Sequence, residues 1–82
     1  MLKVVFYTKE VCSLCDDAKA LLHMLQHDYP FEIEERDIYT NDDWLERYQL
    51  LIPFVKINDI TLDCEEVNID SLEQAIKKYA GK

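Results

Sequence analysis

Glycine is nearly missing from this chain: Gly81 is the only one in 82 residues, and proline occurs just twice, at Pro30 and Pro53. Collagen-like repeats and Gly- or Pro-rich linkers are thereby excluded, and no internal repeat or low-complexity tract divides the sequence. Long apolar runs are missing as well. None approaches the roughly 18 residues that span a bilayer, and the N-terminus has no basic region, apolar core or small-residue cleavage site of a secretory signal. A soluble, cytoplasmic protein without a membrane partner is the expectation.

Positive charge is scarce. Nine Lys and Arg stand against 17 Asp and Glu, a formal net charge of −8. Such a surface repels phosphate backbones, which excludes a nucleic-acid partner and leaves basic protein partners open. The excess carboxylates otherwise read as a device that keeps a small protein soluble. Cysteine is sparse too: three residues, an odd number, are too few to staple a secreted scaffold. A close pair among them, in a reducing compartment, calls for a catalytic or metal-binding explanation.

What remains is the composition of a folded globule, with 49% hydrophobic and 32% charged residues. The length suits one compact domain and is too short for two, so residues 1–82 are expected to form a single domain; a monomer is the expected state. Residues 2–8 are β-branched and aromatic with apolar groups on both alternating faces, the pattern of a central strand covered on each side. From Ser13 onward, Leu14, Ala18, Leu21, Leu22 and Leu25 form a helical stripe that stops before Pro30. Residues 31–34 alternate as a strand, with Ile38 out of phase and a bulge or strand end near it. Thr40 or Asn41 can cap a short helix whose stripe is Trp44, Leu45 and Tyr48, expected as core rather than as a binding platform.

Residues 53–57 and 60–62 are apolar segments joined by Asn58-Asp59, residues that tolerate the positive φ of a tight hairpin. Asp70 with Glu73 can cap a last helix carrying Leu72, Ala75, Ile76 and Tyr79, with Gly81 at its end. The order is βαβαββα. A right-handed crossover between the first two strands and an antiparallel terminal hairpin give a mixed four-stranded α/β sheet with helices on both faces.

The chemistry concentrates at Cys12 and Cys15. Cys12 falls at the turn from strand to helix, where unpaired N–H groups and the helix dipole favour a thiolate, the nucleophilic form of cysteine. Cys15 lies one helical turn on, on the same side, within reach of a disulfide. This supports a redox dithiol in which Cys12 attacks and Cys15 resolves. Asp16 and Asp17 stabilise the helix start but repel a nearby thiolate. The competing reading is half of a zinc site, for which Cys64, His23 and His27 are the other candidate ligands. Seven residues separate Cys15 from His23, fewer than finger spacing uses, and both histidines follow the motif on the same helix. No metal site is expected. Cys64 reads as a small apolar filler at a strand end, and His23 and His27 as surface residues. Lys9 is either a solvated lysine or a cation that holds an anionic substrate.

Strand, then Lys9-Glu10-Val11-Cys12-Ser13-Leu14-Cys15, then Ala18-Lys19 and Leu21-Leu22, resembles the active-site segment of glutaredoxin-like proteins, particularly short bacterial ones with a Cys-x-Leu-Cys motif. The likeness runs through the chain, with Ile52-Pro53-Phe54 where the thioredoxin-fold family carries a cis proline opening the hairpin. It implies a thioredoxin-like fold with sheet order 2-1-3-4 and a cis Ile52–Pro53 bond facing the cysteines. It also implies a thiol–disulfide oxidoreductase with Cys12 and Cys15 catalytic and no bound cofactor. Substrate would be bound by Ser13 and Leu14, by Lys9 through a carboxylate, and by Ile52 and Pro53 through β-like pairing with a peptide. Its partners would be disulfide-containing proteins or glutathione, with glutathione a candidate co-substrate, and a reductase of unknown identity.

The sequence departs from the family in having Ser13-Leu14 in place of Pro-Tyr, and Asp63-Cys64-Glu65-Glu66 near the usual Gly-Gly pair. Asp70 and Ser71 at the last helix start could replace only part of that pair's role, so glutathione dependence stays open. Two other readings also remain: a metal or iron–sulfur carrier using Cys12, and a non-catalytic redox-sensing interaction module.

Overall fold

The computed structural model describes residues 1–80. Its elements are strand β1 (Leu2–Thr8), helix α1 (Ser13–Leu25), strand β2 (Phe31–Asp37), helix α2 (Asp42–Tyr48), strands β3 (Phe54–Ile57) and β4 (Ile60–Leu62), and helix α3 (Ile69–Ala80). A single 3-10 turn, Ile38–Thr40, links β2 to α2. The four strands lie in the order β2-β1-β3-β4, with β1 parallel to β2 and antiparallel to β3, and β3 antiparallel to β4. This is the expected mixed sheet in the order that the family likeness implied.

Alternation along the strands sorts side chains onto two faces. One face carries Val4, Phe6, Val55 and Ile57, which form a single buried cluster with Cys15, Ala18, Leu22 and Leu25 of α1 and Leu72, Ala75 and Ile76 of α3. Each large side chain so buried contributes about 1.5–3 kcal/mol. The buried stripe of α1 starts at Cys15, whereas Leu14, expected within it, is 63% exposed. Spacing alone could not choose between two adjacent positions at the helix start; the direction in which the chain leaves β1 does.

The opposite face is only partly covered, by α2. Tyr7 stacks on Tyr48 with ring centroids 4.1 Å apart and meets Trp44 edge-on at 5.9 Å, and Phe54 packs on Tyr48 at 4.8 Å. Arg36 lies over both Tyr7 and Trp44, at 5.5 and 5.1 Å from the ring centroids, and donates to the Tyr7 hydroxyl at 2.8 Å. Burial, followed by the hydrogen bond with Tyr48, pushes the Tyr7 phenol above its ordinary value against the opposing pull of Arg36. Hydrogen bonds from Arg36 and then Lys3 hold the Glu34 carboxyl below the usual range. No residue of α2 is fully buried. The Trp44, Leu45 and Tyr48 stripe is therefore a half-buried cover rather than core.

Three boundaries differ from the sequence reading. β2 extends beyond the alternating residues 31–34 through Asp37, because Glu35, Arg36 and Asp37 pair in register with Phe6, Tyr7 and Thr8 of the central strand, and it ends just before Ile38, where the break in phase places a strand end or bulge. β3 begins at Phe54 rather than Pro53, as expected of a residue with no N–H to give a ladder. The last helix begins at Ile69, one residue before the expected cap. Asn68 Oδ1 accepts the Ser71 N–H at 2.8 Å while Ser71 Oγ accepts the Asn68 N–H at 3.0 Å, a reciprocal cap in place of Asp70 with Glu73. Glu73 instead accepts the Tyr29 hydroxyl at 3.1 Å. The hairpin turn places Asn58 at φ 54°, the positive value anticipated. Gly81 lies outside the described residues.

Candidate active site

β1 and α1 meet at Cys12. Its extended backbone, φ −158° and ψ 103°, makes it the N-cap of α1, and its sulfur takes the place that a Ser or Asp oxygen ordinarily fills. The Cys15 N–H donates to Cys12 Sγ at 3.1 Å, and the Cys12 carbonyl accepts the Asp16 N–H at 3.0 Å. A donor aimed at the sulfur and the positive end of the helix dipole both favour the anionic form of that thiol.

The two sulfurs form a disulfide with Cα atoms 5.1 Å apart, inside the usual range for such bonds. The pair is asymmetric. Cys12 is half-buried, while Cys15 is 1% exposed within the core cluster. Of the two sulfur-bearing residues, the first presents more surface to an incoming sulfur.

Three grooves surround this helix start. One, of about 360 Å³, runs from Lys9 and Glu10 along Asp16 to Cys15, with Lys19 and Glu35 opposite. Lys19 is held by Glu35 at 3.3 Å. Lys9 makes no ion pair among the described residues, so it is the groove's uncommitted cation. A second groove, of about 450 Å³, joins Lys9 to Val11 and Tyr39. The third, of about 200 Å³, brings Leu14, Leu21, Pro53, Cys64 and Val67 together.

These grooves gather some of the sequence-predicted residues and leave others apart. Leu14 and Pro53 share one wall, Lys9 shares another with Cys15, and Ser13 is exposed on the first turn of α1. The Ile52–Pro53 bond is cis. The Ile52 N–H donates to the Tyr48 carbonyl at 3.1 Å, so β-like pairing there would have to use the Ile52 carbonyl. Asp70 is exposed, and Ser71 Oγ also donates to the Glu66 carbonyl at 2.7 Å, so the Ser71 hydroxyl is engaged in the cap of α3.

Cys64 is not the expected filler. It is a half-exposed free thiol in the turn after β4, and its N–H donates to the Leu51 carbonyl at 3.0 Å, tying that turn to the segment before Pro53. No local pattern marks it; only its proximity in sequence to the missing Gly-Gly pair hinted at the site. Tyr39 and Val67 were not singled out at all, because each lines a groove through loop geometry that periodicity does not encode. His23 is exposed on α1 with Nδ1 3.1 Å from Gln26 Oε1, and His27 lies just beyond the helix end, not on it. Among the described residues, no three His, Cys, Asp or Glu side chains gather as a metal-binding group. Among the described residues, no helix is long and apolar enough to cross a membrane.

Comparison with known proteins agrees with this architecture. A family model described as a glutaredoxin-like domain matches residues 3–77. The solution NMR structure of protein Ne2328 from Nitrosomonas europaea superposes with a TM-score of 0.74 at 28% identity, covering 92% of this chain and 91% of that one. A structure described as that of a malarial protein superposes with a TM-score of 0.67 at 19% identity, over 96% of this chain and 97% of its own, a likeness of fold alone.

Proposed function

The chain belongs to the glutaredoxin-like family, and from that premise we propose that it is a thiol–disulfide oxidoreductase working through Cys12 and Cys15. The observation that supports this reading most directly is the asymmetric pair at the start of α1. One sulfur is partly open and hydrogen-bonded to a backbone N–H, and its partner is buried 5.1 Å away between Cα atoms.

In the proposed cycle the Cys12 thiolate attacks one sulfur of a substrate disulfide. A Cys12–substrate bond forms, the substrate S–S bond breaks, and the departing sulfur leaves as a thiolate that takes a proton from water. Cys15 then loses its proton and attacks Cys12 Sγ, forming the intramolecular disulfide and releasing the second substrate thiol. Two electrons pass from the protein dithiol to the substrate, and an external thiol reductant restores the dithiol. No resident cofactor is required.

Lys9 is proposed to bind a substrate carboxylate, with Ser13, Leu14, Ile52 and Pro53 lining the approach. Glutathione is a candidate co-substrate, and a monomer acting in the reducing cytoplasm is the context this chemistry suits. The test is reduction of a small neutral disulfide, 2-hydroxyethyl disulfide, by the reduced protein. Cys12→Ser should abolish turnover, and Cys15→Ser should accumulate a mixed disulfide visible by mass. Turnover retained by Cys12→Ser would overturn the reading. Offering the oxidised protein glutathione and thioredoxin reductase separately identifies the electron source by which one restores two thiols.

A further inference from the structure

We infer that the preferred substrates are protein disulfides flanked by an apolar residue and a basic one, and that the groove beside Leu14 receives that flanking segment. The inference rests on the oxidoreductase reading and names the substrate class of the same site.

Leu14 sits between the two cysteines, and the fold makes little use of it. It is 63% exposed, although α1 buries Cys15, Ala18, Leu22 and Leu25 without difficulty. Val11 and Leu50 are 87% and 86% exposed: Val11 directly precedes Cys12, and Leu50 lies in the segment leading to Pro53. Leu14, Leu21, Pro53 and Val67 form the apolar wall of a recess of about 200 Å³, room for one side chain and below the roughly 300–1,000 Å³ of most small-molecule sites. An apolar side chain seated there removes hydrocarbon from water on both partners. The Cys64 N–H to Leu51 carbonyl bond, at 3.0 Å, fixes the far wall relative to the Pro53 segment.

Charge selects the occupant. Asp17 lines the recess, Asp16 precedes it on the same turn, and Glu65 and Glu66 follow Cys64 at the other edge; all four are exposed. None has an ion-pair partner among the described residues, where the ion pairs are Lys3–Glu34, Lys19–Glu35 and Arg36–Glu34. Among the described residues, no Lys or Arg lines the recess. The turn that presents the glutamates is ordered, because Asp63 Oδ1 accepts the Glu65 and Glu66 N–H groups at 2.9 and 3.2 Å. A segment carrying Lys or Arg beside its apolar residue meets complementary charge at both edges, whereas an acidic segment is repelled. The chemical step is unchanged: the substrate disulfide gains two electrons and two protons as the Cys12–Cys15 disulfide forms.

The test uses peptides of equal length with an intramolecular disulfide flanked by Leu-Lys or by Leu-Glu, reduced by the full protein under regeneration with dithiothreitol. The expected result is a kcat/KM at least about tenfold higher for the basic peptide at low ionic strength. That preference should collapse in 1 M NaCl, where the Debye length is about 3 Å. Combining Asp17→Asn, Glu65→Gln and Glu66→Gln should bring the ratio of the two peptides close to one at low salt. Alkylating Cys64 in the oxidised protein, where Cys12 and Cys15 are protected, should raise KM for the basic peptide. Equal rates for the two peptides in the wild type, or a preference that survives the triple substitution, would overturn the inference. A protein that fails on 2-hydroxyethyl disulfide as well fails the underlying reading, so the two failures are distinct.

Discussion

At the scale of single residues, one sulfur is asked to do two jobs. Cys12 caps α1 by accepting the Cys15 N–H at 3.1 Å, and it is also the proposed nucleophile. Serine is among the best N-cap residues, so Cys12→Ser should keep or slightly strengthen the cap while deleting the chemistry. Compared in reductant with the reduced wild type, the variant should unfold within about 1 kcal/mol of it and show no disulfide reduction. Thermal unfolding alongside turnover checks both halves. A large loss of stability would mean that the sulfur matters mainly to packing. The two cysteines were legible because a three-residue spacing at a strand-to-helix turn leaves few alternatives. The start of α3 was not, since Asn68 with Ser71 and Asp70 with Glu73 both carry capping chemistry two residues apart. A tertiary contact settles that contest: Glu73 is taken by the Tyr29 hydroxyl, which leaves the cap to the reciprocal bonds of Asn68 and Ser71.

At the scale of elements, α2 is the dependent one. Seven residues are too few for a helix to persist alone in water, and none of these is fully buried. Asn41 starts it, accepting the Asp43 and Trp44 N–H groups at 2.9 and 3.2 Å. What holds it on the sheet is the stack of Tyr48 on Tyr7 and the Arg36 guanidinium between Tyr7 and Trp44. Trp44→Ala removes an edge-on aromatic contact and one of two cation–π partners, so it should cost about 1–2 kcal/mol. Amide exchange over 42–48 should quicken more than exchange in α1. Uniform quickening across all helices would show α2 to be part of the global unit instead. The length of β2 was misjudged for a related reason. Asp37 and, less strongly, Glu35 are disfavoured in strands, and pairing with β1, with Arg36 lying over two aromatic rings, overrides that preference.

At the scale of the whole molecule, topology was the most legible feature and charge the least explained. A central apolar strand, a crossover helix and a terminal hairpin admit few arrangements, and the likeness to a known family selected the order β2-β1-β3-β4 among them. Grooves were illegible, since each joins stretches distant in sequence; the third sets Leu14, Asp17 and Leu21 of α1 against Pro53, Cys64 and Val67. The net charge of −8 acts on the molecule as a unit. Ion pairs involve only Glu34 and Glu35 among the described carboxylates, so most of the acidic surface repels itself in the compact state more than in the expanded one. Salt should relieve that repulsion. At pH 7 the unfolding temperature is expected to rise as NaCl goes from 0.01 to 1 M, where the Debye length shrinks from about 30 to about 3 Å. Near pH 4.5, the isoelectric point, the same addition should change it little, because protonation has already removed the excess charge. The acidic rim around the dithiol belongs to the same field. If salt stabilises the fold while abolishing preference for basic peptides, then the charge that costs stability is also the charge that selects substrate. A salt response equal at both pH values would instead reflect a general effect on apolar burial, and would separate the two.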